Sequence, residues 1–321
     1  NRIVPPTTGK DLHLTIDQGI QSEAERILSN LVQSYKATGG SVIVEEPSTG
    51  KILAFDNLPS FDPNNYSESE IGKFLNPGVQ SIYEPGSVFK VITMAAGIDA
   101  GKITPNTTYF DTGSLTFGDK KIQNFDLKVY GKVTMTEVIE HSINTGAAFA
   151  EKQTGHQVFQ SYLQKFGFGE KTDIDLPGEI SGNLKRLYPG APPIVFATAS
   201  FGQGVAVTPI ELINAVSAIA NKGQLMRPYL NASLEPQVLR TVIKEETARA
   251  ISKMMVNAVD KNKIAKISGY GIAGKTGTAQ VPDFKKGGYT DKVINTFVGF
   301  GPTTNPRFAV LIKLDEPAGA P

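Results

Sequence analysis

The sequence predicts an α+β fold: a central antiparallel sheet of about five strands drawn from both ends of the chain and packed with helices, plus an inserted, mainly helical subdomain. Three observations carry this expectation. Strand-period apolar runs appear near the N-terminus and again near the C-terminus. Helix-period runs punctuated by Gly and Pro fill the residues between them. With 321 residues, 40% hydrophobic and 20% charged, the chain has ample material for a core.

The elements follow in order. In "LTIDQGIQSEAERILSNLVQSYKATGG", Ile20, Ala24, Ile27, Leu28, Leu31 and Val32 form one helical apolar face. Thr15 and Asp17 are candidate caps, and Gly39 and Gly40 are expected to stop the helix. "SVIVEEPSTGKILAF" reads as two strands around a Pro-Ser-Thr-Gly turn, a hairpin. Residues 56–82 are rich in Asn, Pro and Ser and read as a loop-rich insertion. Residues 87–221 read as mostly helical. The clearest helix there is "TPIELINAVSAIANKG", with Thr208 as cap, Pro209 in the first turn and Gly223 at the end. "YGIAGKTGTAQV" and "TFVGFGPTTNPRFAVLIKL" then supply three strands, the last two joined through 302–306. No internal repeat is visible.

Composition excludes several functions. A net charge of +1 offers no basic field for nucleic acid. The absence of cysteine removes thiol nucleophiles, redox pairs and thiolate metal sites. His13, His141 and His156 are scattered without metal-ligand spacing, so neither metal nor cofactor is called for. No G-x-S-x-G elbow is present, so a serine enzyme here would use lysine rather than histidine as base. No apolar run approaches the ~20 residues that span a bilayer. The sequence begins at Asn1, without methionine, and a preceding signal or anchor is an open expectation.

Three short motifs carry candidate chemistry. Ser87-Val88-Phe89-Lys90 follows Pro85-Gly86 and opens an apolar helix pattern of Val91, Ile92, Ala95 and Ala96. On a helix, positions i and i+3 are neighbours, so the Lys90 amine would lie beside the Ser87 hydroxyl. The helix N-terminus and desolvation both disfavour a cation there, which lowers a lysine pKa and makes it usable as a base. A plain helix start with a solvated lysine is the bland alternative. The same pattern recurs at Ser48–Lys51, but on a hairpin turn that fixes no such pair.

Ser142-Ile143-Asn144 could bring a hydroxyl and an amide into one cleft if the chain turns there. Ser181-Gly182-Asn183 matches too, in a loop after Pro177-Gly178, and for both copies capping or turn bonding is the alternative. Lys275-Thr276-Gly277-Thr278 occurs once. A glycine inside a strand marks a place where something must approach the backbone closely, and a lysine with two hydroxyls suits a carboxylate. A nucleotide-binding loop would need strand then helix, whereas both flanks here read as strand.

Ser-x-x-Lys, Ser-x-Asn and Lys-Thr-Gly in this order are the signature of penicillin-binding proteins and serine β-lactamases. Nearly the whole chain resembles the transpeptidase domain of class B penicillin-binding proteins, including "YEPGSVFK", "DIDLPGEISG", "FGQGVAVTPIELINAVSAIANKG" and "INTFVGFGPTTNPRFAVLIKLDEP". The resemblance implies one domain over residues 1–321, with a membrane anchor and N-terminal pedestal outside it, on the extracytoplasmic face of a bacterial membrane. It implies that Ser87 is the nucleophile toward peptidoglycan stem peptides, Lys90 its base, and Ser142 with Lys275 the proton relay. Asn144 would hold a peptide amide, Thr276 and Thr278 a terminal carboxylate, and the N–H groups of Ser87 and Thr278 an oxyanion. β-Lactam antibiotics would acylate Ser87, and partners in cell-wall synthesis would act through other regions. Ile143 is bulkier and more apolar than the resemblance leads one to expect. A serine β-lactamase needs a base to activate water against the ester; Glu179 and Glu211 are the nearest carboxyl candidates, and no Glu-x-x-Leu-Asn loop is found. A D,D-carboxypeptidase and a silent β-lactam sensor are further alternatives.

Overall fold

The computed structural model describes residues 9–283 and 285–319. The elements run α1 (Gln18–Ser34), β1 (Gly39–Glu46), β2 (Lys51–Leu58), α2 (Pro77–Gln80), α3 (Lys90–Asp99), β3 (Thr108–Asp111), β4 (Ser114–Phe117), β5 (Lys120–Gln123) and β6 (Gly131–Thr134). There follow α4 (Met135–His141), α5 (Asn144–Thr154), α6 (His156–Lys165), α7 (Pro193–Ala199), α8 (Pro209–Ala220), β7 (Gln224–Met226) and β8 (Val238–Thr241). The chain closes with α9 (Glu245–Asn262), β9 (Ala273–Pro282), β10 (Tyr289–Gly301) and β11 (Phe308–Asp315).

The five long strands form one sheet in the order β2-β1-β11-β10-β9, every pair antiparallel. As expected, both ends of the chain build it, with β1 and β11 paired from Gly39↔Asp315 to Glu45↔Ala309. Strand alternation assigns the two faces of β1. Val42 and Val44 join Ala24 and Leu28 of α1 in one cluster, while Ile43 joins the main core with Ile210 and Ile213 of α8. Every residue of α8 is buried, and Thr208 and Glu211 close a reciprocal capping box at its start.

Several local expectations are corrected. Asp17 caps α1 by accepting the Ile20 N–H at 3.0 Å, but Thr15 instead donates to the carbonyls of Ile52 (2.7 Å) and Tyr229 (3.1 Å). Gly39 and Gly40 do not end α1, which stops at Ser34. They open β1, where a Cβ would lie 2.6 Å from the Leu58 carbonyl and 2.7 Å from the Lys313 carbonyl, so close strand packing selects them. The middle of the chain is less helical than predicted. Residues 108–134 carry the short pairs β3–β6 and β4–β5, too brief to show a period. Helix α9, beside β9, went unpredicted.

A polar seam runs between β1 and α8. Glu45 is fully buried, and among the described residues neither carboxyl oxygen has a hydrogen bond; Ser217 on α8 faces it outside bonding geometry. Burial disfavours the carboxylate and pushes the Glu45 pKa up to about 8, with Ser217 offsetting little of this. Between about pH 4.5 and 8 the folded state therefore holds a proton that the unfolded chain releases, and stability falls as pH rises through that window. We expect Glu45→Gln to remove this dependence, a difference on the order of 3–5 kcal/mol between pH 5 and pH 9 at most. Urea unfolding of both proteins at the two pH values checks it; parallel losses would rule out a buried neutral Glu45.

Candidate active site

Gly86–Phe89 forms a 3-10 turn that runs directly into α3. Ser87 thus lies just ahead of the α-helix rather than inside its first turn as predicted. The correction strengthens the pairing, because at three residues per turn positions i and i+3 eclipse. The Lys90 Nζ sits 3.0 Å from the Ser87 Oγ. Lys90 is fully buried among core residues of α3.

Close approach of backbones sets this turn in place. Gly86 has φ +62°, and a Cβ on it would meet the Thr278 carbonyl at 2.9 Å. A Cβ on Gly277 would lie 2.9 Å from the Pro85 carbonyl and 3.0 Å from the Val88 nitrogen. A third glycine, Gly202 (φ +77°), approaches from the other side, where a Cβ would lie 2.3 Å from the Gly86 carbonyl oxygen. The object approaching the Gly277 backbone is therefore the serine-bearing turn itself.

The second motif sits between α4 and α5. Ser142 takes a left-handed conformation (φ 58°, ψ 42°) at the end of α4, Ile143 is extended, and Asn144 starts α5. Ile143 is 1% exposed and its N–H donates to the Val138 carbonyl at 3.0 Å. That burial accounts for its apolar bulk: it anchors the turn in the core and leaves the flanking polar residues at the cleft. The Ser142 Oγ lies 3.2 Å from the Lys90 Nζ and 3.0 Å from the Lys275 Nζ, and the Ser142 carbonyl accepts from Lys90 at 2.5 Å.

The third motif lies on β9, the outer strand of the sheet. Lys275 and Gly277 are buried and alternate with half-buried Thr276 and Thr278. Lys275 also donates to the Thr276 carbonyl at 2.9 Å. An outer strand keeps one row of backbone N–H and C=O groups outside the sheet's own ladder, a ready docking edge for an extended peptide.

The two lysines share a confined space, and the electrostatics follow. Burial lowers the Lys90 pKa well below the ordinary value, and the nearby charge of Lys275 lowers it further; Asp126 opposes both. Burial brings Lys275 down to about 8. Near neutrality Lys275 thus carries the charge, while Lys90 is the amine driven toward its neutral, basic form. Such an array can deprotonate the Ser87 hydroxyl and pass a proton by way of Ser142.

The structure unites Ser87, Lys90, Ser142 and Lys275 in one hydrogen-bonded cluster. Asn144 borders it, but its Nδ2 donates to the Gln123 carbonyl at 2.9 Å, tying the site to β5. The decoy motifs stay outside. Lys51 begins β2 after a turn with Gly50 at φ +82°, and Asn183 accepts its own Lys185 N–H at 3.0 Å. Glu179 accepts from Thr172 and Asp173, and Glu211 from Gly169, Gly182 and Thr208, so both carboxylates serve backbone donors. His141, next to Ser142 in sequence, faces the Lys261 Nζ at 2.7 Å.

Sequence reasoning missed Glu84, although it lies in the segment that carries Ser87. Its carboxylate accepts the Gly204 N–H (2.9 Å) and the Tyr289 hydroxyl (2.9 Å), joining the serine turn to the Gly202 turn and to β10. An acid immediately before Pro85-Gly86 was the available signal. It also missed Thr145, whose Oγ1 donates to Asp111 at 2.6 Å behind Asn144; no local pattern announces that contact.

Residues 40–320 match the family described as penicillin binding protein transpeptidase domain. The chain is 35% identical to stage V sporulation protein D of Bacillus subtilis, covering 98% of this chain and 51% of that protein. It is 32% identical to the probable peptidoglycan D,D-transpeptidase PenA of Neisseria meningitidis, covering 97% and 53%. The chain thus spans about half the length of these relatives. Among solved structures it is similar to penicillin-binding protein 3 of Mycobacterium tuberculosis in complex with aztreonam, with a TM-score of 0.87, 29% identity, and 95% of this chain and 73% of that one covered. The fold and the match across nearly the whole chain establish that this protein belongs to the penicillin-binding protein transpeptidase domain family.

Proposed function

We propose that this chain is a serine D,D-transpeptidase that cross-links peptidoglycan stem peptides and is acylated by β-lactams. The observation that carries the reading is the sharing of the Ser142 hydroxyl by two buried amines, one of which also reaches the Ser87 hydroxyl.

In the first half-reaction Lys90, as neutral amine, takes the Ser87 proton while Oγ attacks the carbonyl of the penultimate D-Ala. The carbonyl oxygen becomes an oxyanion, met by the N–H groups of Ser87 and Thr278. The C–N bond then breaks, and the leaving D-Ala nitrogen takes a proton delivered from Lys90 by way of Ser142, with Lys275 beside it. An ester on Ser87 remains. In the second half-reaction an amine from a neighbouring stem attacks that ester and loses its proton to the same relay. The new amide forms as Ser87 regains its hydrogen. Thr276, Thr278 and the Lys275 charge suit the terminal carboxylate, while the Asn144 side-chain oxygen suits a substrate amide N–H because its nitrogen is engaged with Gln123. Gly277 lets the strand and the serine turn meet closely enough for one substrate to touch both. Peptidoglycan lies outside the cytoplasmic membrane, so the reaction belongs on the extracytoplasmic face; cell-wall synthesis partners in the membrane would engage other regions. Among the described residues no helix is long and apolar enough to cross a membrane.

Ser87→Ala should reduce labelling by a fluorescent penicillin to background, and retained labelling mapped to another serine would overturn the assignment. Intact-mass measurement after penicillin should reveal a long-lived adduct on the peptide containing Ser87, because neither Glu179 nor Glu211 is available to activate water; rapid loss with release of hydrolysed antibiotic would instead identify a lactamase. Lys90→Met should slow acylation by about 10²–10⁴-fold. Lys275→Met removes the positive neighbour, so the Lys90 pKa should rise and the acid limb of the acylation–pH profile should move to higher pH. A limb that stays in place, or moves lower, would remove Lys90 from the role of base.

A further inference from the structure

A separate cavity of about 670 Å³ opens between β3–β4 and helices α5–α7, and none of Ser87, Lys90, Ser142 or Lys275 lines it. That volume is in the range that holds small molecules, which sit in mostly apolar pockets with a few placed polar groups. The walls here fit that description: Leu115, Phe117, Phe149, Pro193 and Ala197 line it, with Phe110 71% exposed. Tyr109 and Phe149 stack at 5.1 Å between ring centres, offering an aromatic surface.

The polar lining is mixed: Asp111 and Glu151 are deeply set, His156 lies beside Glu151, and Lys152 is exposed at the rim. Glu151 lines the cavity with a side chain only 1% exposed, and gives Oε1 to the His156 Nδ1 at 2.6 Å. Among the described residues no hydrogen bond engages its Oε2. Asp111 also lines the cavity and is fully buried, but the Gly113 N–H, Asn124, Tyr130 and Thr145 all donate to it. The group left for a ligand is therefore the Oε2 of Glu151, on a side chain only 1% exposed, in a cavity that also holds the aromatic pair. Burial without a full partner pushes the Glu151 pKa up, with His156 opposing, so an incoming cation would relieve a cost already present.

The cavity is also joined to the active site. The Tyr109 hydroxyl lies 3.1 Å from the Thr145 Oγ1, and Thr145 follows Asn144 at the start of α5. The Asn124 Oδ1 accepts the Thr145 N–H at 3.3 Å, beside the Gln123 carbonyl that holds Asn144. A ligand that shifts Tyr109 presses on the residue adjoining the Ser142–Asn144 turn. We propose that this cavity is a second ligand site, for a small aromatic amine, and that its occupancy is transmitted to the Ser142–Asn144 turn through Thr145.

The test uses phenethylamine as the probe, with phenylacetate and n-propylamine as controls for charge and ring. Binding is followed by ligand-observed NMR and calorimetry, which do not depend on any reaction at Ser87 and so stay interpretable if the proposed function fails. Phenethylamine should bind at least about ten-fold more tightly than either control. Glu151→Gln should narrow the margin over phenylacetate. Thr116→Trp, at an exposed position on the cavity wall, should weaken phenethylamine by a similar factor while leaving penicillin acylation of the ligand-free protein unchanged. Saturating phenethylamine should alter the acylation rate at least about twofold in the parent protein but not in Thr116→Trp. Absent or unselective binding, or binding that Thr116→Trp does not weaken, overturns the site. Selective binding with an unchanged acylation rate overturns the transmission.

Discussion

Two ammonium groups cannot comfortably share one hydroxyl inside a protein, and that constraint organises this molecule. Lys90 and Lys275 both reach the Ser142 Oγ, and both are buried. Two like charges a few ångströms apart at low dielectric repel strongly, so one amine is held toward its neutral form. The deeper one, Lys90, is the one that also touches Ser87. On the proposed reading, a weak nucleophile and its base are thus made by position, without the histidine or carboxylate that a triad would use. Desolvation of this kind lasts only if the surrounding scaffold is rigid. That requirement explains why Lys90 lies on a helix buried from Lys90 to Gly97 and packed against α5, α6 and α9.

The same arrangement demands that distant parts of the chain meet at backbone distance. Side chains cannot bridge the sheet edge and the serine turn without pushing them apart, so glycines stand at the contact. Gly86, Gly202 and Gly277 come from three segments, and each lacks the Cβ that would strike another's neighbourhood. Glu84 then ties the Gly86 segment to the Gly202 segment by accepting the Gly204 N–H, and to β10 by accepting the Tyr289 hydroxyl. Preorganisation here rests on missing atoms as much as on bonds made.

Much of this was legible in the sequence because local patterns and local spacing carry it. The hairpin turn, the Thr208 cap and the three C-terminal strands each arise from residues close together in the chain. The Ser87–Lys90 pair is likewise a one-turn relation. Signals that depend on tertiary approach were misread or invisible. Gly39 and Gly40 look like helix stops until the partner carbonyls of Leu58 and Lys313 are in place. The strands of 108–134 are four residues each, shorter than any window that reveals a period. Thr145 and Glu84 owe their roles to partners from 34 to 205 positions away. The order of three weak motifs succeeded where each alone would have failed, since decoys of two of them lie in turns that fold elsewhere.

On the proposed reading, the fate of an ester on Ser87 depends on whether Glu179 or Glu211, the two acids the sequence offers for a lactamase, is free to serve. Hydrolysis needs a general base aimed at a water beside the ester, and in a lactamase-type reading a carboxylate would fill that role. Glu179 accepts two backbone N–H groups and a hydroxyl, and Glu211 three backbone N–H groups and a hydroxyl. Turning either toward the cleft would strand those buried donors, at roughly 1–3 kcal/mol each. On the proposed reading the ester therefore waits for a better nucleophile than water, and an amine brought by a second stem peptide is one. In that reading the structural use of these two carboxylates is part of the chemistry, because it biases the intermediate toward transfer.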